Sequence, residues 1–166
     1  MEFSIPVKKV CGSVMKKLIV YVSVHHNNTE KIAKIFANIL EADMKNLEQI
    51  ETNNLLAYDL IGFGSGIYFF KHHESLLEFA KRLPPSKNKK AFIFSTSGVT
   101  KVKFLVRHGP LKSILESKGF EVIGEFNCAG FDTMGPLRFI GGIKKGRPND
   151  EDFKKAEAFV KKLKGF

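Results

Sequence analysis

Residues 16–40 read KKLIVYVSVHHNNTEKIAKIFANIL, and this stretch decides the fold. Leu18 to Val22 is a run of five apolar residues, rich in β-branched and aromatic types, as in a strand buried on both faces. Thr29 to Leu40 places Ile32, Ala33, Phe36, Ile39 and Leu40 on one helical face, with Glu30, Lys31, Lys34 and Asn38 on the other. Between them runs Ser23-Val24-His25-His26-Asn27-Asn28-Thr29, a polar loop ending in residues of the helix-capping type. A strand that breaks through such a loop into a helix aims backbone N–H groups and the positive end of a dipole at one point. That point suits a phosphate; a plain N-capped helix after a strand is the structural alternative.

Working outward, the same alternation continues. Leu60-Ile61-Gly62-Phe63-Gly64 and Lys90-Ala91-Phe92-Ile93-Phe94 read as further buried strands, and Phe120 to Phe126 as the last. Ala42 to Leu47 is a weaker, short strand. Residues 73–83 carry Leu76, Leu77, Phe79, Ala80 and Leu83 at helical spacing, and Pro84-Pro85 ends that helix. Another helix is expected from Pro110 to Gly119. Asn149 should cap the last helix, with Asp150, Glu151 and Asp152 in its first turn and Lys161, Lys162 and Lys164 in its last. The economical architecture is α/β: a three-layer, doubly wound, five-stranded parallel sheet of order 2-1-3-4-5. Its ligand would sit at the carboxyl ends of strands 1, 3 and 4.

Composition bounds the rest. The 166 residues suffice for one domain, expected over 15–166, with residues 1–14 as an extension or a short packed segment. No apolar run approaches the ~18 residues of a membrane span, so no transmembrane segment is expected. Cys11 and Cys128 form neither a metal-ligand spacing nor a disulfide framework, which points to a reducing cytoplasm. The net charge is +10, and residues 81–112 contain nine bases (Lys81, Arg82, Lys87, Lys89, Lys90, Lys101, Lys103, Arg107 and Lys112) without an Asp or Glu. Those bases match no DNA-reading motif and lack interleaved aromatics, so no nucleic-acid partner is expected. There is no Walker-type P-loop and no G-x-G-x-x-G dinucleotide fingerprint.

Three loops would open on one edge of this sheet. The first offers hydroxyls and amides to a phosphate. The second, Ser65-Gly66-Ile67-Tyr68-Phe69, offers a glycine and aromatics. The third, Ser95-Thr96-Ser97-Gly98, offers small residues whose backbone can approach a flat ring. Together they describe a ligand with an anionic tail and an aromatic head.

With Ser23, Asn28, Thr29 and Glu30 at matching places, the first loop resembles the phosphate loop of flavodoxins, although His25-His26-Asn27 replaces the small residues usual there. Cys128 to Pro136, Gly141-Gly142 and Lys145 to Asn149 resemble a subgroup of small bacterial and archaeal flavodoxin-like proteins. The resemblance runs from Lys16 to the C-terminus. It implies FMN as cofactor, held by Ser23, His25, His26, Asn27, Asn28 and Thr29 at the phosphate. Ser65, Gly66, Ile67, Tyr68, Ser95, Thr96, Ser97 and Gly98 would contact the ring. It also implies one-electron transfer between protein partners through an FMN semiquinone, which a flip of the peptide at Gly66 would stabilise. An FMN-dependent oxidoreductase of the quinone reductase type is the alternative, and a basic binding module without flavin a third. No catalytic residue and no metal ligand is assigned. The basic segment, read as a rim of the site, favours an acidic redox protein such as ferredoxin, or a small anionic or quinone substrate.

Overall fold

Five parallel strands pair with the second in sequence at one edge, the first beside it, and the other three following in sequence order, as expected from the alternating pattern. The computed structural model describes residues 14–24, 26–98, 108–133 and 135–165. The extension expected over residues 1–14 therefore lies, Val14 apart, outside the described residues. In chain order the elements are β1 (Lys17–Val22), α1 (Asn28–Leu40), β2 (Asp43–Asn46), β3 (Leu60–Tyr68), β4 (Lys71–His72), α2 (Glu74–Lys81), β5 (Lys89–Ser97), α3 (Gly109–Ser117), β6 (Phe120–Ala129) and α4 (Asp150–Leu163). The two-residue β4, absent from the sequence-based expectation, folds back antiparallel on the end of β3. Edge strand β2 is short and carries Asp43 and Lys45, which blunts it against pairing with another chain. Among the described residues, no helix is long and apolar enough to cross a membrane.

Strand alternation sorts the core into two layers. Leu18, Val20, Val22, Ile61, Phe63, Ala91 and Ile93 pack beneath α2 and α3. Ile19, Tyr21, Phe92, Phe94 and Phe126 pack beneath α1 and α4. Phe36 of α1 stands at the centre of the second layer, fully buried, with the rings of Phe92, Phe94, Phe126 and Phe159 at 5.1–5.8 Å. Gly62 and Gly64 of β3 make that cluster possible. Each sits in register with a phenylalanine of β5, where a Cβ would fall 2.4 Å from the Phe92 ring and 2.1 Å from the Phe94 ring. Asn149 caps α4 in a reciprocal capping box with Asp152.

Two strands run further than their apolar cores suggest. β3 continues through Tyr68 and β5 through Ser97, because Ser65 pairs with Ser95 and Gly66 with Thr96, while β6 backs β5 as far as Ala129. Ser65 to Tyr68 and Ser95 to Ser97 are therefore strand ends and not the loops expected. Side chains there must alternate between faces, and this decides which of them can reach a ligand.

Candidate functional site

At the carboxyl edge of the sheet, α1 begins without a side-chain cap. His26 and Asn27 adopt left-handed backbone (φ 55° and 53°), and Asn27 makes no capping hydrogen bond, contrary to the expectation from its residue type. The Asn27 side chain does not compete for the first-turn N–H groups of Asn28, Thr29 and Glu30, and the helix dipole adds to their pull on an anion. Two buried polar atoms at this end have no partner among the described residues, Ser23 Oγ and Asn28 Oδ1. Asn28 donates through Nδ2 to the Phe131 carbonyl (2.8 Å), which leaves Oδ1 as an unused acceptor. Thr29 Oγ1 and Thr96 Oγ1 share a hydrogen bond of 3.0 Å, tying α1 to β5.

A cleft opens between this helix end and the ends of β3 and β5. One wall is Gly66, Ile67 and Tyr68, another Thr96, Ser97 and Gly98, and the floor is Asn28 and Thr29. The chain after β6 closes it with Gly130, Phe131 and Asp132. The Gly130 N–H donates to the Ser97 carbonyl (3.0 Å). His26 holds that segment from the other side, with Nε2 2.9 Å from Thr133 Oγ1 and its ring 4.3 Å from that of Phe131. Tyr68 lies so close to Gly66 that a Cβ there would fall 2.9 Å from its ring, and the cavity left is only ≈ 30 Å³. Burial foremost, then the Asp132 carboxylate, raises the Tyr68 pKa, so the phenol stays protonated and neutral at ordinary pH.

Of the residues singled out in the sequence, Asn28, Thr29, Gly66, Ile67, Tyr68, Thr96, Ser97 and Gly98 come together around the cleft. Ser23, His26 and Asn27 stand in the adjoining loop without lining it, and His25 lies outside the described residues. Ser65 and Ser95 do not face it. Alternation turns both toward α2 and α3, into a buried polar cluster. There Ser65 Oγ meets His72 Nδ1 (2.8 Å), and Ser95 Oγ meets His108 Nε2 (2.8 Å). The two imidazoles lie 5.0 Å apart, and His108 Nδ1 reaches Glu125 at 3.1 Å. Burial, helped by His108, pushes the His72 pKa down to about 3, while burial lowers His108 against the opposing pull of Glu125.

Val24, part of the first loop but not assigned a contact, also lines the cleft, as do Gly130, Phe131 and Asp132, which the three expected loops did not include. The sequence signals for the last three were a glycine directly after a strand, in Ala129-Gly130-Phe131-Asp132, and their place in the Cys128 to Pro136 stretch, to which no ligand contact was assigned.

The basic segment is placed differently from the rim expected of it. Lys87, Lys89 and Lys90 stand at the start of β5, roughly 26 Å of strand from its cleft end, and Lys89 Nζ donates to the Leu56 and Tyr58 carbonyls. Lys81 and Arg82 end α2 on that same far edge, and Lys112 pairs with Glu125. Lys101, Lys103 and Arg107 lie outside the described residues. Exposed bases on the cleft edge include Lys71, paired with Tyr68 at the end of β3, and Arg138, Lys144 and Lys145 in the chain between β6 and α4.

The family model for the flavodoxin domain matches residues 18–118. An uncharacterized protein of Methanocaldococcus jannaschii is 50% identical over 149 residues, which span 90% of this chain and 98% of that protein. Among solved structures, the flavodoxin of Streptococcus pneumonia TIGR4 superposes with a TM-score of 0.68 at 17% identity, over 90% of this chain and 97% of that one. Oxidised flavodoxin 2 of Bacillus cereus gives 0.66 at 22% identity, over 91% and 99%. The Fusobacterium nucleatum flavodoxin bound to flavin mononucleotide gives 0.65 at 12% identity, over 91% and 98%.

Proposed function

The chain belongs to the flavodoxin domain family, and on that premise we propose that it binds FMN in this cleft and carries electrons, one at a time, between redox partners. One observation carries the reading. The uncapped start of α1 stands with two buried polar atoms that have no partner among the described residues, Asn28 Oδ1 at the cleft and Ser23 Oγ in the adjoining loop, a set of groups suited to a phosphoryl group joined to a polyol. The first-turn N–H groups, Thr29 and the Ser23 hydroxyl would take the phosphate. Asn28 Oδ1 can only accept, so it suits a ligand hydroxyl and not the phosphate. The ring would be held between the Gly66–Tyr68 and Thr96–Gly98 walls. With Tyr68 packed over Gly66 the cavity is too small for it, so entry requires that side chain to turn outward. Bound FMN would supply the redox chemistry; this chain would orient it and limit water. The free, buried Cys128 fits a reducing cytoplasm.

A visible-spectrum titration of the purified protein with FMN tests this, followed by stepwise reduction. Thr29→Ala and Asn28→Ala should each weaken FMN by about 1–3 kcal/mol, the range for a buried or charged group left one hydrogen bond short. Unchanged affinity in both variants would remove the cleft as the site. Passage straight from oxidised to fully reduced flavin would instead favour two-electron turnover of a quinone or other small acceptor.

For a protein partner, bases close to the cleft would supply the attraction. Between residues 135 and 147, Arg138, Lys144 and Lys145 stand exposed beside the cleft with no Asp or Glu among them. Their reversal to Glu should slow reduction by an acidic ferredoxin about 10-fold at low ionic strength and flatten its salt dependence. At 0.1 M salt, reversal of Lys87, Lys89 and Lys90 should change the rate far less than reversal of the cleft-edge bases, since a ~26 Å separation exceeds the ~10 Å screening length there. Equal effects from the two triple variants would rule out local steering.

A further inference from the structure

Ser65 lies behind the cleft wall and is fully buried, yet every hydrogen-bonding position of its hydroxyl is used. It donates to the Gly66 carbonyl (2.9 Å), accepts from the His73 backbone N–H (3.0 Å) and meets His72 Nδ1 at 2.8 Å. A hydroxyl has one proton and two acceptor positions. With its proton on the Gly66 carbonyl and one lone pair on the His73 N–H, it can only accept from His72, so His72 must carry its proton on Nδ1. Nε2 is then a bare lone pair, and it is indeed buried without a partner among the described residues. In the other tautomer Ser65 would donate to Nδ1, release the Gly66 carbonyl, and leave a buried N–H unpaired at Nε2, a costly alternative. Gly66 lines the cleft, so one buried imidazole can dictate which of two arrangements its carbonyl takes there.

We propose that His72 is a positioning residue for the flavin ring: through Ser65 it keeps the Gly66 carbonyl engaged behind the wall, so that the carbonyl is withheld from the ring. The role rests on the FMN reading given above. Reduced flavin carries an N–H at the N5 edge of its ring where oxidised flavin has only a lone pair, so a released carbonyl favours the reduced form. The latch therefore holds the balance toward oxidised FMN. His72 stays neutral throughout, since desolvation and His108 keep its pKa near 3. The groups facing it are Ser65, the His108 ring and, beyond that ring, Glu125 and Lys112.

Two measurements test the latch, the first without flavin. In ¹⁵N-histidine-labelled protein, His72 should show a protonated Nδ1 and an unprotonated Nε2 from pH 5 to 8; the opposite tautomer would overturn the proposal. In the second, the ratio of reduced to oxidised FMN affinity is compared between wild type and variants. Ser65→Ala should raise the preference for reduced FMN about 3- to 10-fold, the effect of one net hydrogen bond. Ser65→Cys, close in volume and a weak donor, should move it the same way and serves if the alanine variant does not fold. His72→Leu frees the hydroxyl to rotate and should raise the ratio by less, with no further rise in the Ser65→Ala background. His72→Asn can keep an N–H near the Nδ1 position and should restore it. Wild type that binds FMN with a ratio unmoved by Ser65→Ala would overturn the latch and leave the cofactor reading standing. Wild type that binds no FMN would overturn both.

Discussion

FMN should bind at least about 100-fold more tightly than riboflavin, two ligands that differ only in the terminal phosphate. The estimate comes from the start of α1. Hydrogen bonds to a charged group contribute about 1.5–3 kcal/mol each, and a helix N-terminus adds about 0.3–1 kcal/mol. Two such contacts to the phosphate already exceed the ~2.7 kcal/mol that 100-fold requires. The structural grounds are specific: Asn27 leaves the first turn uncapped, and Ser23 Oγ is buried without a partner beside it. Quenching of flavin fluorescence on titration, at one fixed ionic strength, measures both affinities. Millimolar inorganic phosphate should weaken FMN by competition and leave riboflavin unaffected. Equal affinities for FMN and riboflavin would mean that the start of α1 is not the phosphate site.

Much of the fold was legible because burial on both faces of the sheet leaves a strong mark. Leu18 to Val22, Leu60 to Phe63 and Ala91 to Phe94 are continuous apolar runs, and each is a central strand. The pattern failed where the strands outran their apolar stretch. Ser65 to Tyr68 and Ser95 to Ser97 look like loops by composition, but pairing with neighbours on either side keeps them extended. The consequence for the site is larger than the change in boundary. Period-two alternation puts Gly66 and Thr96 at the cleft and sends Ser65 and Ser95 to the opposite face, a distinction residue type could not make. Their partners there, His72 and His108, stand just before α2 and α3, where residue type alone does not signal burial.

Other features needed three-dimensional information of a different kind. Asn27 has the composition of an N-cap, but its left-handed backbone turns the side chain from that duty. Phe131 and Asp132 reach the cleft because Gly130 bonds to Ser97 and the His26 ring packs on Phe131, contacts between segments over 30 residues apart. The cluster of bases between residues 81 and 112 was real in sequence, yet Lys89 and Lys90 stand at the end of β5 away from the cleft, and Lys112, in α3, pairs with Glu125. Linear clustering therefore said nothing about which end a partner meets.

The largest loss of stability should follow Phe36→Ala. Phe36 is fully buried eight residues into α1, about 12 Å along the axis from Asn28, and four phenyl rings surround it at 5.1–5.8 Å. Most of those contacts are edge-on, the arrangement that adds to simple area burial. The hole cannot close easily, since Phe92 and Phe94 are fixed in β5 and already fill the space that Gly62 and Gly64 leave them. Truncation of a buried phenylalanine costs about 3–5 kcal/mol, a large share of the 5–15 kcal/mol that holds a domain folded. For a chain of this length that is a fall in Tm of roughly 6–20 °C. The same helix positions the phosphate site, so ligand and core should be coupled through it. At 100 times its Kd, FMN should return about 2.7 kcal/mol to the variant, provided α1 still forms. Thermal unfolding with and without FMN measures both quantities. A fall of less than about 1 kcal/mol without ligand would mean that the aromatic cluster is not what anchors α1. A normal fall without recovery by FMN would separate the core from the site.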